Sequence, residues 1–274
     1  MNLILIIFRL PLVIIHLISG ILILIFFPKK LIEFREIHHR IVKYWMKILL
    51  WLFGLKIKKI GNIEMESSMF VSNHISFIDI IVINSIMDIK FIAKSEIQKW
   101  PVIGRLAEKS GTIFIKRGDL GDNSIVIDKI KSYINNKKRV ALFPEGRIGD
   151  GVTIRKFHSK LFNSISNSES YVQPFYILYP QKYPKDLTSD LSLCWSDKKQ
   201  SLSKISLRCL GRYSTTVVLC FKDTIKCDKS AYELAKLTYD EVISCDEIIN
   251  SKLKIRSFLF YHPLCQFQHR QPHQ

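Results

Sequence analysis

The order of apolar runs along the chain predicts an α/β fold, a mostly parallel sheet flanked by helices, entered through an N-terminal membrane-anchoring helical segment. Three observations carry this reading. Apolar residues dominate residues 1–55. From Lys56 onward, short apolar runs alternate with longer mixed segments, as strands do with crossover helices. The short runs are nearly continuous strings, such as Val140-Ala141-Leu142-Phe143, which suits strands buried on both faces.

The first element is the run Leu10–Phe27, softened only by His16 and Ser19. As a helix it spans about 27 Å, slightly less than a hydrocarbon core of about 30 Å. Extended back through Leu3–Phe8 it is long enough, with Arg9 snorkelling toward a headgroup. A cleaved signal peptide fits less well, because Pro28-Lys29-Lys30 stands where small cleavage-site residues belong. Lys29, Lys30, Arg35, Arg40 and Lys43 crowd the C-terminal flank and place everything after residue 28 on the cytoplasmic side. Ile41–Leu55 mixes Tyr44, Trp45 and Trp51 with Lys43 and Lys47, as an interfacial amphipathic helix does; a core helix is the alternative.

Strands are then predicted at Met69–Ser72, Ile89–Ala93, Thr112–Lys116, Arg139–Phe143 and Tyr171–Leu178. Helices are predicted at Phe77–Met87, Ile97–Lys109 and Asn123–Asn135. Polar Gln181–Lys204 reads as a loop, Thr215–Phe221 as a late strand and Ala231–Asn250 as a late helix. The division is thus anchoring helices over 1–55, an α/β domain over 56–250 and a His/Gln-rich tail over 251–274.

The 274 residues suffice for one sizeable domain plus an attachment segment. A hydrophobic share of 47% with mean hydropathy +0.11 fits a globular body with a hydrophobic appendage. The net charge of +17 calls for an anionic partner: lipid headgroups, phosphates, an acidic carrier protein or nucleic acid. The basic residues are dispersed and no nucleic-acid-binding motif is present, which sets nucleic acid aside. Six cysteines, all from Cys194 onward, form no C-x-x-C pair and no zinc-ligand spacing, as expected of isolated reduced thiols.

Chemistry concentrates in Val71-Ser72-Asn73-His74-Ile75-Ser76-Phe77-Ile78-Asp79, where an apolar strand gives way to an apolar helix. A histidine there can take a proton from an attacking hydroxyl, and a carboxylate on its other ring nitrogen would orient it. The five-residue offset corresponds to roughly 140° on a continuous helix, so the two can meet only if His74 precedes the helix and Asp79 points back from its first turn. A second reading is open: Ser76-x-x-Asp79 has the form of a capping box, with Asp79 capping the helix and His74 an ordinary loop residue. There is no G-x-S-x-G elbow, Walker loop, H-E-x-x-H or G-x-G-x-x-G.

Further blocks follow in order: FIAKSEIQKWPVIG (Phe91–Gly104), GTIFIKR (Gly111–Arg117), FPEGR (Phe143–Arg147) and VQPFYI (Val172–Ile177). With Asn73-His74-x4-Asp79 they resemble the 1-acylglycerol-3-phosphate acyltransferases, the H-x4-D glycerolipid acyltransferases, over about residues 70–180. The resemblance implies that His74 and Asp79 are a catalytic pair and that Arg117 and Lys94 hold the acceptor's phosphate. It also implies that Glu145, Gly146 and Arg147 belong to the substrate site. The expected acceptor is 1-acyl-glycerol 3-phosphate and the expected donor acyl-CoA or acyl-carrier protein. No metal or cofactor is expected, and the protein is expected on the cytoplasmic face of a bacterial inner membrane. The chain departs from the family after Glu145-Gly146, reading Arg147-Ile148-Gly149-Asp150-Gly151 where the family carries hydroxyl residues. That departure bears on the acceptor more than on the reaction. The alternatives are another lyso-lipid acceptor, such as lyso-ornithine lipid, or a non-catalytic basic membrane-surface protein.

Overall fold

A computed structural model describes residues 2–26, 35–100, 102–115, 124–181, 189–195 and 200–260. Two helices, α1 (Leu3–Phe26) and α2 (Arg35–Leu52), precede the sheet. The strands are β1 (Leu55–Ile60), β2 (Met69–Ser72), β3 (Lys90–Lys94), β4 (Ile113–Ile115), β5 (Val140–Leu142), β6 (Tyr171–Leu178), β7 (Thr215–Phe221) and β8 (Ile225–Lys226). Between and after them lie α3 (Ile78–Ile86), α4 (Ser95–Gln98), α5 (Ile103–Lys109), α6 (Ser124–Asn135), α7 (Leu202–Leu210) and α8 (Ala231–Phe260).

The strand order is β1-β7-β6-β2-β5-β3-β4, with β8 also paired to β6. Pairs β1/β7, β2/β6, β2/β5, β3/β5 and β3/β4 are parallel, whereas β7 and β8 run antiparallel to β6. The sheet is therefore mostly parallel, as expected. Alternate side chains feed two cores. Phe70, Ala141, Phe175, Val217 and Leu219 join α2, α3 and α7 on one face. Met69, Val71, Val140, Leu142, Val172 and Val218 join α6 and α8 on the other. Burial on both faces is why these strands carry almost no polar residues.

Several local expectations need amendment. The helix expected at Ile97–Lys109 is two, α4 and α5, with Val102 at φ 63 between them. The cause is in the sequence, since Pro101 lacks an amide and disfavours helix in the residue before it. The expected loop Gln181–Lys204 contains the start of α7, whose Ser201 cap accepts from the Lys204 amide at 3.3 Å. Strands β1 and β8 had no counterpart in the sequence reading, and α8 runs on past Asn250 into the expected tail. Arg9 does not snorkel outward. Its guanidinium donates to the carbonyls of Leu210, Arg212 (2.6 Å) and Tyr213, groups left without helical partners where α7 ends.

Candidate active site

The carboxyl ends of β2, β5 and β3 lie side by side, and the residues leaving them form the site. That is where open α/β sheets expose reactive groups. Asn73 leaves β2 and clamps the neighbouring strand. Its side-chain amide donates to the Ile177 carbonyl at 2.9 Å and its oxygen accepts from the Ile177 amide at 2.8 Å. This double bond to β6 turns the chain so that His74 sits before α3 and Asp79 in its first turn.

His74 Nδ1 lies 2.7 Å from Asp79 Oδ2. A carboxylate oxygen can only accept, so Nδ1 carries the proton and Nε2 is the basic ring nitrogen. The His74 side chain is 16% exposed and that of Asp79 is fully buried, so the pair has one outward end. Nε2 has no partner among the described residues. The imidazole stacks on Phe143, ring centroids 4.3 Å apart and planes inclined by 16°. Phe143 in turn stacks with Phe91.

Asp79 Oδ2 also accepts from the amides of Ile75 at 2.9 Å and Ser76 at 3.0 Å, and Oδ1 accepts from the Tyr179 hydroxyl. The first two bonds tie the turn to the helix start, and the Ser76 hydroxyl accepts in return from the Ile78 amide at 3.4 Å. Sequence reasoning did not find Tyr179. It stands one residue past β6, and no local spacing relates it to a residue one hundred positions earlier.

Glu145 is buried behind His74. Its Oε1 accepts from the His74 amide at 2.9 Å and its Oε2 from the Arg155 amide at 3.0 Å. Burial pushes its carboxyl above the ordinary value, while the two amides pull it back. The Gly149 amide donates to the His74 carbonyl, and Trp195 to that of Ile75. The His74 amide and the carbonyls of His74 and Ile75 are thus held from outside the turn, and the amides of Ile75 and Ser76 by Asp79. Gly146 adopts φ +68, which explains a glycine there, and the exposed Arg147 follows it. His158 lies 3.5 Å from the point a Cβ on Gly146 would occupy. Lys94 closes β3 on the same side. Arg117 lies outside the described residues.

The five described cysteines are buried and form no disulfide with one another. Burial raises the thiols of Cys194, Cys209 and Cys227 to about 12, so they are poor nucleophiles.

Residues 55–178 match the Acyltransferase family. The chain is 30% identical over 143 residues to a lyso-ornithine lipid O-acyltransferase of Pseudomonas aeruginosa, covering 52% of this chain and 55% of that protein. It is 30% identical over 111 residues to a 1-acyl-sn-glycerol-3-phosphate acyltransferase of Neisseria gonorrhoeae, covering 40% and 44%. The matched stretches thus span about half the length of these relatives. The fold is that of the crystal structure of the 1-acyl-sn-glycerophosphate acyltransferase PlsC from Thermotoga maritima. The TM-score is 0.65 at 18% identity, over 91% of this chain and 96% of that one. The matched region runs from the first residue of β1 to the last of β6 and encloses the His74–Asp79 turn, so the likeness to the Acyltransferase family is carried by the part of the chain that holds the site.

Proposed function

We propose that the protein transfers a fatty acyl group from a thioester to the free hydroxyl of 1-acyl-glycerol 3-phosphate, forming phosphatidate. The observation that carries the reading is the His74–Asp79 contact at 2.7 Å, with the opposite ring nitrogen facing outward. His74 Nε2 takes the proton of the acceptor hydroxyl as its oxygen attacks the thioester carbonyl carbon. Collapse of the adduct breaks the C–S bond, and the imidazolium returns the proton to the departing thiolate. Asp79 holds the ring and offsets its transient positive charge. The nucleophile is the acceptor itself. Ser76 is fully buried and its oxygen already serves the Ile78 amide, so no covalent acyl-serine is invoked.

Lys94 at the end of β3 and Arg147 after β5, with Arg117, supply the charge that a phosphate monoester requires. Glu145 acts behind the site, because both its oxygens are taken by backbone amides. The donor is acyl-CoA or acyl-carrier protein. The outer face of α1 and the positive flank after it fit a protein seated on the cytoplasmic leaflet of a bacterial inner membrane. A second acceptor is favoured by a specific finding, the similarity to lyso-ornithine lipid O-acyltransferases.

The test is turnover by the purified full chain with lysophosphatidate and with lyso-ornithine lipid, using both thioester donors. Lysophosphatidate should be preferred, and His74→Ala should lower kcat by about 10²–10⁴-fold. A variant keeping more than a tenth of wild-type kcat would remove His74 from the mechanism. Preference for lyso-ornithine lipid would transfer the assignment to the second acceptor.

A further inference from the structure

Asp79 has two oxygens, and its own turn engages only one of them. Oδ2 is engaged by the His74 ring and the amides of Ile75 and Ser76. Oδ1 meets Tyr179 instead, a member of the buried core that also holds Ile75, Ile78, Cys194 and Cys209. There the Tyr179 hydroxyl is its one hydrogen-bond donor among the described residues. The terminal torsion of an aspartate is broad and roughly two-fold, so a carboxylate held at one oxygen can rotate and exchange its oxygens. Holding Oδ1 removes that freedom and leaves Oδ2 under the imidazole.

The phenol itself is well placed to do this. Tyr179 is fully buried, and its backbone is fixed on both sides: its amide donates to the Ser189 hydroxyl at 3.2 Å and its carbonyl accepts from the Asp190 amide at 2.8 Å. Burial, with the Asp79 charge beside it, drives its ionisation far above the ordinary value, so it remains a donor at any working pH. A donor on Oδ1 also takes a share of the carboxylate's charge, leaving less of it on the oxygen that faces the imidazole.

We propose that the Tyr179 hydroxyl is a positioning group for the His74–Asp79 pair, fixing the carboxylate's orientation and the share of its charge that faces the imidazole. The proposal rests on the acyl-transfer reading for its kinetic consequence but not for its effect on the imidazole.

Tyr179→Phe removes the hydroxyl and keeps the ring that packs the core. The His74 imidazole should be followed by NMR titration of the detergent-solubilised full chain, assigned by loss of the signal in His74→Ala. In Tyr179→Phe its midpoint should lie measurably above that of wild type, because the carboxylate charge on Oδ2 is no longer shared. The acid limb of kcat against pH should move with it, and kcat should fall several-fold while KM for donor and acceptor stays within about twofold. A lowered Tm with an unmoved titration midpoint and unmoved acid limb would mean that Tyr179 only packs, and would overturn the proposal. Should Tyr179→Phe not fold, 3,5-difluorotyrosine at position 179 gives a stronger donor and must move the midpoint downward; an unchanged or higher value would overturn it equally. A wild-type protein with no acyltransferase activity would defeat the reaction assigned above, while the titration would still decide the role of Tyr179.

Discussion

Asp79 serves two purposes that the sequence presents as alternatives. The Ser76-x-x-Asp79 pattern does close the turn, since Asp79 accepts from the Ser76 amide, and the same oxygen meets the His74 ring. A capping carboxylate that points back along the chain is already aimed at a residue just before the helix. Glu145 shows a different economy. The resemblance implies a place in the substrate site for it, yet its oxygens brace the backbone of His74 and Arg155 from behind. In Glu145→Gln an amide NH2 must face one of those N–H groups, which should cost about 1–3 kcal/mol. The pH dependence has a definite sign. Burial raises the folded carboxyl above 4.5, so the folded protein holds this proton more tightly than the unfolded chain does. Its contribution is complete below the unfolded value and is lost as pH rises through the folded one. Urea unfolding between about pH 4 and 8 should therefore show the stability advantage of wild type over Glu145→Gln narrowing as pH rises through that window. A constant difference would mean that Glu145 titrates as an ordinary exposed carboxylate.

Helix α1 is apolar enough to cross a membrane by length and composition, but one stripe of it belongs to the protein. Ile6, Val13 and His16 are buried, Arg9 reaches the end of α7, and Trp45 lies 3.0 Å from where a Cβ on Gly20 would be. The spacing 6, 9, 13, 16, 20 is that of a helix seam packed on a partner. His16 stacks on Trp45 and bonds its carbonyl at 3.0 Å, and the Trp45 indole donates to Ser19. The polar residues inside the apolar run thus all face the body. Arg9→Ala strips a charged donor from three carbonyls, a loss of about 1.5–3 kcal/mol in docking. Hydrogen exchange of the α1 amides should accelerate by about tenfold or more while exchange in β2 and β6 stays slow. Equal protection in both proteins would show that the apolar seam alone holds the helix.

Taken together, the two cores make a three-layer body, and α1 and α2 extend one of those layers to a surface of unusual character. Ile14, Ile15, Ile18, Leu22 and Ile25 on α1, with Tyr44, Ile48 and Trp51 on α2, are exposed, Trp51 to 71%. So many exposed apolar side chains on two helices of a chain of charge +17 suit a lipid surface better than water. Replacing Ile14 and Ile18 by Asp removes apolar area that each side chain would bury in lipid, worth about 1.5–3 kcal/mol apiece. Binding to phospholipid vesicles should fall by tenfold or more with the fold intact by circular dichroism. About 1 M salt should leave wild type bound, because burial of apolar area is not screened as charge attraction is. Release of wild type by salt, or undiminished binding by the double variant, would move the contact elsewhere.

Much of this was legible one segment at a time. The continuous apolar strings named the buried parallel strands, and the five-residue offset set the condition for His74 and Asp79 to meet, a back-pointing Asp79, which the structure displays. Local signals carry such features because period, capping and turn chemistry act over a few residues. What they could not carry was partnership across the chain. Arg9 meets carbonyls two hundred residues away, Tyr179 meets Asp79, and β1 gains its identity only by pairing with β7. Lys56, Lys58 and Lys59 hide that strand in the sequence, since an edge strand needs one apolar face and no continuous run. Segment chemistry thus named the turn that holds His74. Whether its carboxylate stands still depended on packing that brings the end of β6 against the first turn of α3.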